Sequence, residues 1–114
     1  MPVSDGYIEH VKDLLQDFPP LRVKRMFGGA GVYSGNLFFA ILVDDELYLK
    51  ADDLNRAHYE AQGLQPFTFT MKGGRSATMS YYPVPVDVLE DPDLLRDWVR
   101  MALHAAHRAK RAAH

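Results

Sequence analysis

The sequence predicts an α+β fold, a two-layer sandwich in which helices cover one face of an antiparallel sheet. Three observations carry this reading. Apolar residues recur at helical spacing near both ends, first from Ile8 to Phe18 and again from Leu94 to Ala106. Short apolar or alternating runs lie between them, bounded by Gly, Asn and Asp turn signals. The links between these runs are short, which favours antiparallel pairing over long crossovers. At 114 residues the chain reads as a single domain over 1–114. A chain of this size buries roughly two-thirds of the surface its unfolded form exposes and needs no staple.

Each element has a local cause. Ser4 or Asp5 caps a first helix whose apolar face is Ile8, Val11, Leu14, Leu15 and Phe18. Pro19-Pro20 ends it, because proline cannot continue the hydrogen-bond ladder. Val32-Tyr33 then leads into Ser34-Gly35-Asn36, a hairpin-type turn. Leu37 to Val43 is continuously apolar, as suits a central strand covered on both sides. Asp44-Asp45 turns the chain, and Glu46 to Lys50 returns it. Asp52 or Asp53 caps a second helix with Leu54, Ala57, His58 and Ala61 on its inner face and Gly63 at its end. Phe67 to Met71 alternates with period two, Gly73-Gly74 turns, and Ala77 to Tyr82 is the partner strand, closed by Pro83. Val84 to Glu90 contains a short helical turn. Asp91-Pro92 is a strong start signal for a third long helix, whose face is Leu94, Leu95, Trp98, Val99, Ala102, Leu103 and Ala106. Residues 108–114 are expected to fray. The order is α-β(3)-α-β(2)-α.

Composition excludes several classes of function. There is no cysteine, so disulfides, thiolate metal sites and cysteine nucleophiles are all ruled out. No apolar run reaches the ~18 residues of a membrane helix, and the first residues lack signal-peptide character, so a cytoplasmic protein is expected. Net charge is −2 from 13 basic and 15 acidic residues, unlike a dedicated nucleic-acid binder. The charge is unevenly placed. No acid lies between Asp17 and Asp44, and none follows Asp97.

The strongest local feature is Met26-Phe27-Gly28-Gly29-Ala30-Gly31-Val32-Tyr33, preceded by the basic run Arg22-Val23-Lys24-Arg25. Phosphate cradles place such glycines before a helix N-terminus. Here they lead into a strand, and the Walker spacing is absent. Gly28, Gly29 and Gly31 therefore read as a bulge, a tight bend or a close packing point. His104 and His107 share a helix face, but no acid or cysteine nearby completes a metal shell. His10 and His58 have no nucleophile beside them, and no serine sits in a nucleophile elbow. The acids at 44–46 and 90–93 lack calcium-loop spacing and read as turn and cap residues. No catalytic residue, metal or cofactor is expected.

The segments MFGGAGVY, LFFAILVDDELYLKAD, QPFTF and MSYYPVPVDVLED, with the downstream Trp98, resemble the TfoX N-terminal domain family of TfoX/Sxy-like competence regulators. The resemblance runs from about Arg22 to Ala106. It implies an α-β(3)-α-β(2)-α fold and a non-enzymatic role connected with expression of DNA-uptake genes. It supplies no catalytic residues. Longer members carry a second, helical domain similar to helix-hairpin-helix modules. This sequence reads as a single-domain member, for which direct DNA binding is not expected.

The resulting expectation is a regulatory domain that docks an unidentified protein partner. The surface would comprise Arg22, Lys24, Arg25, the glycines Gly28, Gly29 and Gly31, and Tyr33. Lys72 and Arg75 form a second basic group. A homodimer through a free edge or the uncovered sheet face is a further expectation, with Phe39 and Tyr48 as apolar candidates on that face. The alternative is a weak nucleic-acid module using the basic groups at 22–25, 72–75 and the C-terminal helix end, with Tyr33, Tyr48, Tyr81 and Tyr82 as stacking faces.

Overall fold

The computed structural model describes residues 3–26, 28–70 and 72–112. The chain opens with α1 (Asp5–Leu14), capped as expected by Ser4, whose hydroxyl accepts from the Tyr7 N–H at 3.1 Å. Four strands follow as a meander: β1 (Leu21–Met26), β2 (Gly29–Ser34), β3 (Leu37–Val43) and β4 (Glu46–Lys50). The short helix α2 (Arg56–Glu60) leads to a two-stranded ribbon, β5 (Thr68–Thr70) and β6 (Ser76–Thr78). Then β7 (Tyr81–Pro83) adds beside β4, completing an antiparallel five-stranded sheet of order β1-β2-β3-β4-β7. The chain ends with α3 (Val86–Leu89) and α4 (Pro92–Ala112).

The architecture is the expected α+β sandwich, but the sheet is assembled differently. The basic run at 22–25 is itself a strand, β1, with Leu21 and Val23 turned to the core. The expected strand over 77–82 divides in two. Its first part pairs only with β5, and its second joins the main sheet after a bend at Ser80. Pro83 is tolerated within β7 because that strand is a sheet edge. Met71, read as the end of the first ribbon strand, lies outside the described residues, as does Phe27.

The core sits between the sheet and the helices. Ile8, Val11 and Leu15 from the first helix region meet Val32, Leu42, Leu47 and Leu49 of the sheet and Leu95, Trp98, Val99 and Ala102 of α4. A bulge in the β2–β3 ladder sets the inward faces. Val32 pairs with Ala40 and Tyr33 with Phe38, leaving Phe39 as the extra residue. Phe39 is fully buried in the core, so it is not on the outer sheet face where it was expected.

The inner face of α2 also differs from the periodicity reading. Leu54 is 75% exposed, and Ala57 and Ala61 are exposed too. Asn55 and Tyr59 are buried instead, because the helix is only five residues long and the preceding turn, held by Asp52, sets its orientation. Asp91 caps α4 through the N–H groups of Asp93 and Leu94. That helix extends through Ala112, and residues 113–114 lie outside the described part.

Candidate functional site

Paired residues in an antiparallel ladder project from the same face. The register therefore defines the sheet face opposite the helices. Arg22 lies opposite Tyr33, Lys24 opposite Gly31 and Met26 opposite Gly29. Tyr33 lies opposite Phe38, Ile41 opposite Tyr48, and Lys50 opposite Tyr81. These side chains form a row across the sheet. The Arg22 guanidinium sits 4.8 Å from the Tyr33 ring centroid, Tyr33 stacks on Phe38 at 4.8 Å, and Phe38 meets Tyr81 at 5.9 Å. Lys50 Nζ closes the row, 5.1 Å from the Tyr81 centroid. Burial lowers the Lys50 pKa against the opposing pull of Asp52. Burial, and next the neighbouring Tyr33, raises the Tyr81 phenol to about 12, so it stays neutral and can donate.

The β5–β6 ribbon folds back over the other part of this face. Phe67 meets Tyr48 edge to face at 5.1 Å and stacks against Phe69 at 6.0 Å. Burial, with the Glu46 carboxylate beside it, pushes the Tyr48 phenol up to about 12. Between ribbon and sheet lies a pocket of about 470 Å³. Met26, Gly29, Ile41 and Val43 are among the residues of its sheet side, and Phe67, Phe69 and Met79 close it from the ribbon. Every described lining residue is apolar, so the pocket can bury carbon, and among the described residues it offers no acid, base or nucleophile.

The glycines make this close packing possible. A Cβ on Gly29 would fall within 3.0 Å of the Leu42 carbonyl oxygen in β3. A Cβ on Gly31 would lie 2.8 Å from Met26 Cε and 2.9 Å from Phe38 Cε1. Gly28 serves a different need, since its φ of 78° is the left-handed turn conformation. The segment is thus a hairpin turn followed by a strand packed too tightly for side chains. The neighbour that approaches is a strand, not a helix.

The structure separates the basic residues that the sequence groups together. Arg22 and Lys24 are exposed on the open face. Arg25 faces the helices, where it donates to the Val3 carbonyl at 2.9 Å and pairs with Asp5. It anchors the N-terminal segment and lies on the sheet face opposite to that of Arg22 and Lys24, with its side chain half exposed. Lys72 and Arg75 are exposed beside the Gly73-Gly74 turn of the ribbon. Among the described residues no hydrogen bond or ion pair joins them to β1. At the C-terminal helix end, Arg108 holds Asp52 through two hydrogen bonds of 2.6 and 2.9 Å. Those bonds, with help from the Leu54 and Asn55 N–H groups, hold the Asp52 carboxyl below its usual range.

The tyrosines also divide. Tyr33 and Tyr48 are half-buried on the open face, and Tyr81 is only 4% exposed, too covered to receive a base. Tyr82 belongs to the core, stacked on Tyr59 at 4.8 Å. His10, His104 and His107 are exposed, while His58 packs 4.7 Å from Trp98 with its Nε2 buried and unpartnered. Among the described residues no cluster of three His, Cys, Asp or Glu side chains could hold a metal, and no helix is long and apolar enough to cross a membrane.

Sequence reasoning missed Phe67, Phe69 and Met79 as the cover of a pocket. The alternation of Phe67 and Phe69 was the available signal. It also missed Asn55. Its amide oxygen accepts from the Asp52 N–H at 2.7 Å, and its Nδ2 donates to the carbonyls of Lys50 and Met101 at 3.2 and 3.3 Å.

A family model described as the TfoX N-terminal domain matches residues 13–106. The chain belongs to the TfoX N-terminal domain family. No curated protein matches it. The match begins within α1 and ends within α4, so this TfoX N-terminal domain contains the whole sheet, the ribbon and the glycine-built pocket.

Proposed function

We propose that this TfoX N-terminal domain is a non-catalytic regulatory module of the cytoplasm that docks a protein partner on its open sheet face. The observation that carries the reading is the juxtaposition on that face of exposed Arg22 and Lys24 with an apolar pocket of about 470 Å³. Apolar area beside fixed cations is the composition of a recognition surface: burial supplies affinity, and charge supplies selectivity and orientation. Among the described residues the pocket lining offers no group for proton transfer or covalent attack, which favours binding over chemistry.

Affinity capture from native extract tests this. The wild-type domain and a Lys110→Ala/Arg111→Ala control should recover the same protein, and Arg22→Ala/Lys24→Ala should lose it. Equal recovery by all three forms would remove the proposed face.

The Arg22–Tyr33–Phe38 row supports a second reading, weak binding of single-stranded nucleic acid by stacking. Fluorescence anisotropy separates the two. Binding to single strands that falls steeply with salt and is lost in Arg22→Ala/Lys24→Ala supports nucleic acid. No binding at low salt eliminates it.

A further inference from the structure

We propose that the outer edge of β1 is a strand-addition site for an extended partner segment in which acidic and apolar residues alternate. This rests on the docking reading above and names the chemistry of the partner. The first observation is that β1 is a terminal strand of the sheet. Among the described residues, none of the backbone hydrogen bonds outside the sheet ladders and helices uses a group from 21–26. Alternate N–H and C=O groups of such a strand point away from its one neighbour and are open to another chain. The opposite edge is not equivalent. There Pro83 has no N–H, and the Tyr81 carbonyl already accepts from the Phe67 N–H at 2.8 Å.

The two sides of β1 then specify the added strand. Arg22 and Lys24 project on the open face, and the Arg22 guanidinium is held there against the Tyr33 ring. Leu21, Val23 and Arg25 project on the helix side, where Arg25 is already engaged by the Val3 carbonyl and Asp5. A mixed polar and apolar cleft of about 380 Å³ lies where the chain enters β1, lined by Leu15, Phe18, Pro20 and Leu21 together with Lys12 and Gln16. Side chains of an added strand alternate in the same way. One set meets two cations in a stretch with no acid between Asp17 and Asp44, and the other meets apolar surface and the cleft. This is strand addition with side-chain selection on both faces.

Charge also argues against a second copy of the chain as the occupant. Antiparallel pairing of two β1 edges about Val23 would set Arg22 of each copy directly against Lys24 of the other on the open face. Like charges directly across a ladder are destabilising, and cationic edges are a known guard against self-pairing.

The test uses end-blocked eight-residue peptides: one alternating Glu and Val, one alternating Lys and Val, and a Glu–Val copy N-methylated on alternate residues. Each is titrated into the 15N-labelled domain. The Glu–Val peptide should shift and protect amides within 21–26, and the Lys–Val peptide should not bind. The N-methylated copy should lose binding because it cannot complete the ladder. Arg22→Glu/Lys24→Glu should weaken the Glu–Val peptide about tenfold or more. Equal binding of the N-methylated copy, or shifts confined to the pocket around Phe67 and Met79, would overturn strand addition but leave the docking face standing. No binding of the Glu–Val peptide together with loss of partner capture in the face variant would likewise overturn only this inference. Single-stranded DNA bound at 22–24 with no peptide binding would overturn both, and a β1–β1 dimer in solution would overturn the edge assignment.

Discussion

Replacing Gly29 by Ala should destabilise the domain by about 2–3 kcal/mol, while Gly31→Ala should cost about 1 kcal/mol. The difference follows from what each new Cβ meets. At Gly29 it meets the Leu42 carbonyl, a backbone atom of a central strand whose own side chain is fully buried. That oxygen can retreat only if β2 and β3 separate. Overpacking of this kind costs about 1–3 kcal/mol, and each weakened ladder bond adds about 1 kcal/mol. The less flexible unfolded chain of the Ala variant returns about 0.4–1 kcal/mol. At Gly31 the Cβ meets the ends of Met26 and Phe38 at 2.8 and 2.9 Å. Methionine can turn away, and the expense falls on the Tyr33–Phe38 stack. Trp98 is the only tryptophan and is 4% exposed, so its fluorescence reports unfolding. With a urea slope of about 1.5 kcal/mol/M, Gly29→Ala should lower the midpoint by about 1.5–2 M and Gly31→Ala by less than about 1 M. A Gly29→Ala variant as stable as wild type, or the reverse order of the two, would refute the packing account of these glycines. A ligand-cradle role would instead leave stability intact.

Further outcomes follow from other contacts. Arg108→Met should cost about 1 kcal/mol, because the pair with Asp52 is partly exposed; Asp52→Ala should cost about 2 kcal/mol, since two N–H caps are lost as well. The folded Asp52 pKa lies below the unfolded value, chiefly through its hydrogen bond to Arg108. Its stabilisation is therefore complete above about pH 4 and lost as pH falls toward the folded pKa, and urea midpoints measured from pH 3 to 7 should show a shallower acid limb in Asp52→Asn. Asn55→Asp should be at least as damaging as Asn55→Ala, about 2–3 kcal/mol or roughly 10 °C in Tm, because a carboxylate would face the Lys50 and Met101 carbonyls. Asp44 and Asp45 share left-handed φ values of 54° and 57°, yet calorimetry should give opposite signs. Asp44→Gly should stabilise by about 0.5 kcal/mol, and Asp45→Gly should destabilise by about 1 kcal/mol, since only Asp45 accepts from the Ser4 N–H and hydroxyl.

Much of the fold is legible in local patterns. Ser4 and Asp91-Pro92 announce helix starts because a capping side chain acts only on the next turn of backbone. Leu37–Val43 is apolar on both faces because both faces are covered, one by helices and the other by the β5–β6 ribbon. The ordered family segments led to the same α+β class that the sheet and helices display. By contrast, β1 was hidden because an edge strand with one open face can be half cationic, so a search for apolar runs passes over it. Its alternation was nevertheless present, with Leu21 and Val23 one way and Arg22 and Lys24 the other.

The sequence alone determined that glycines at 28, 29 and 31 mark a bulge, a tight bend or a close packing point and that a basic run precedes them. Only the tertiary structure decided what those features meet. The Leu42 carbonyl presses on Gly29, and Met26 and Phe38 close over Gly31. Strand parity sends Arg25 to the helix side, to Val3 and Asp5, while Arg22 and Lys24 lie on the open face. The physical reason is range. Caps, turns and periodicity act between residues a few positions apart, whereas a close approach, a pocket or an ion pair depends on register and packing between segments distant in the chain.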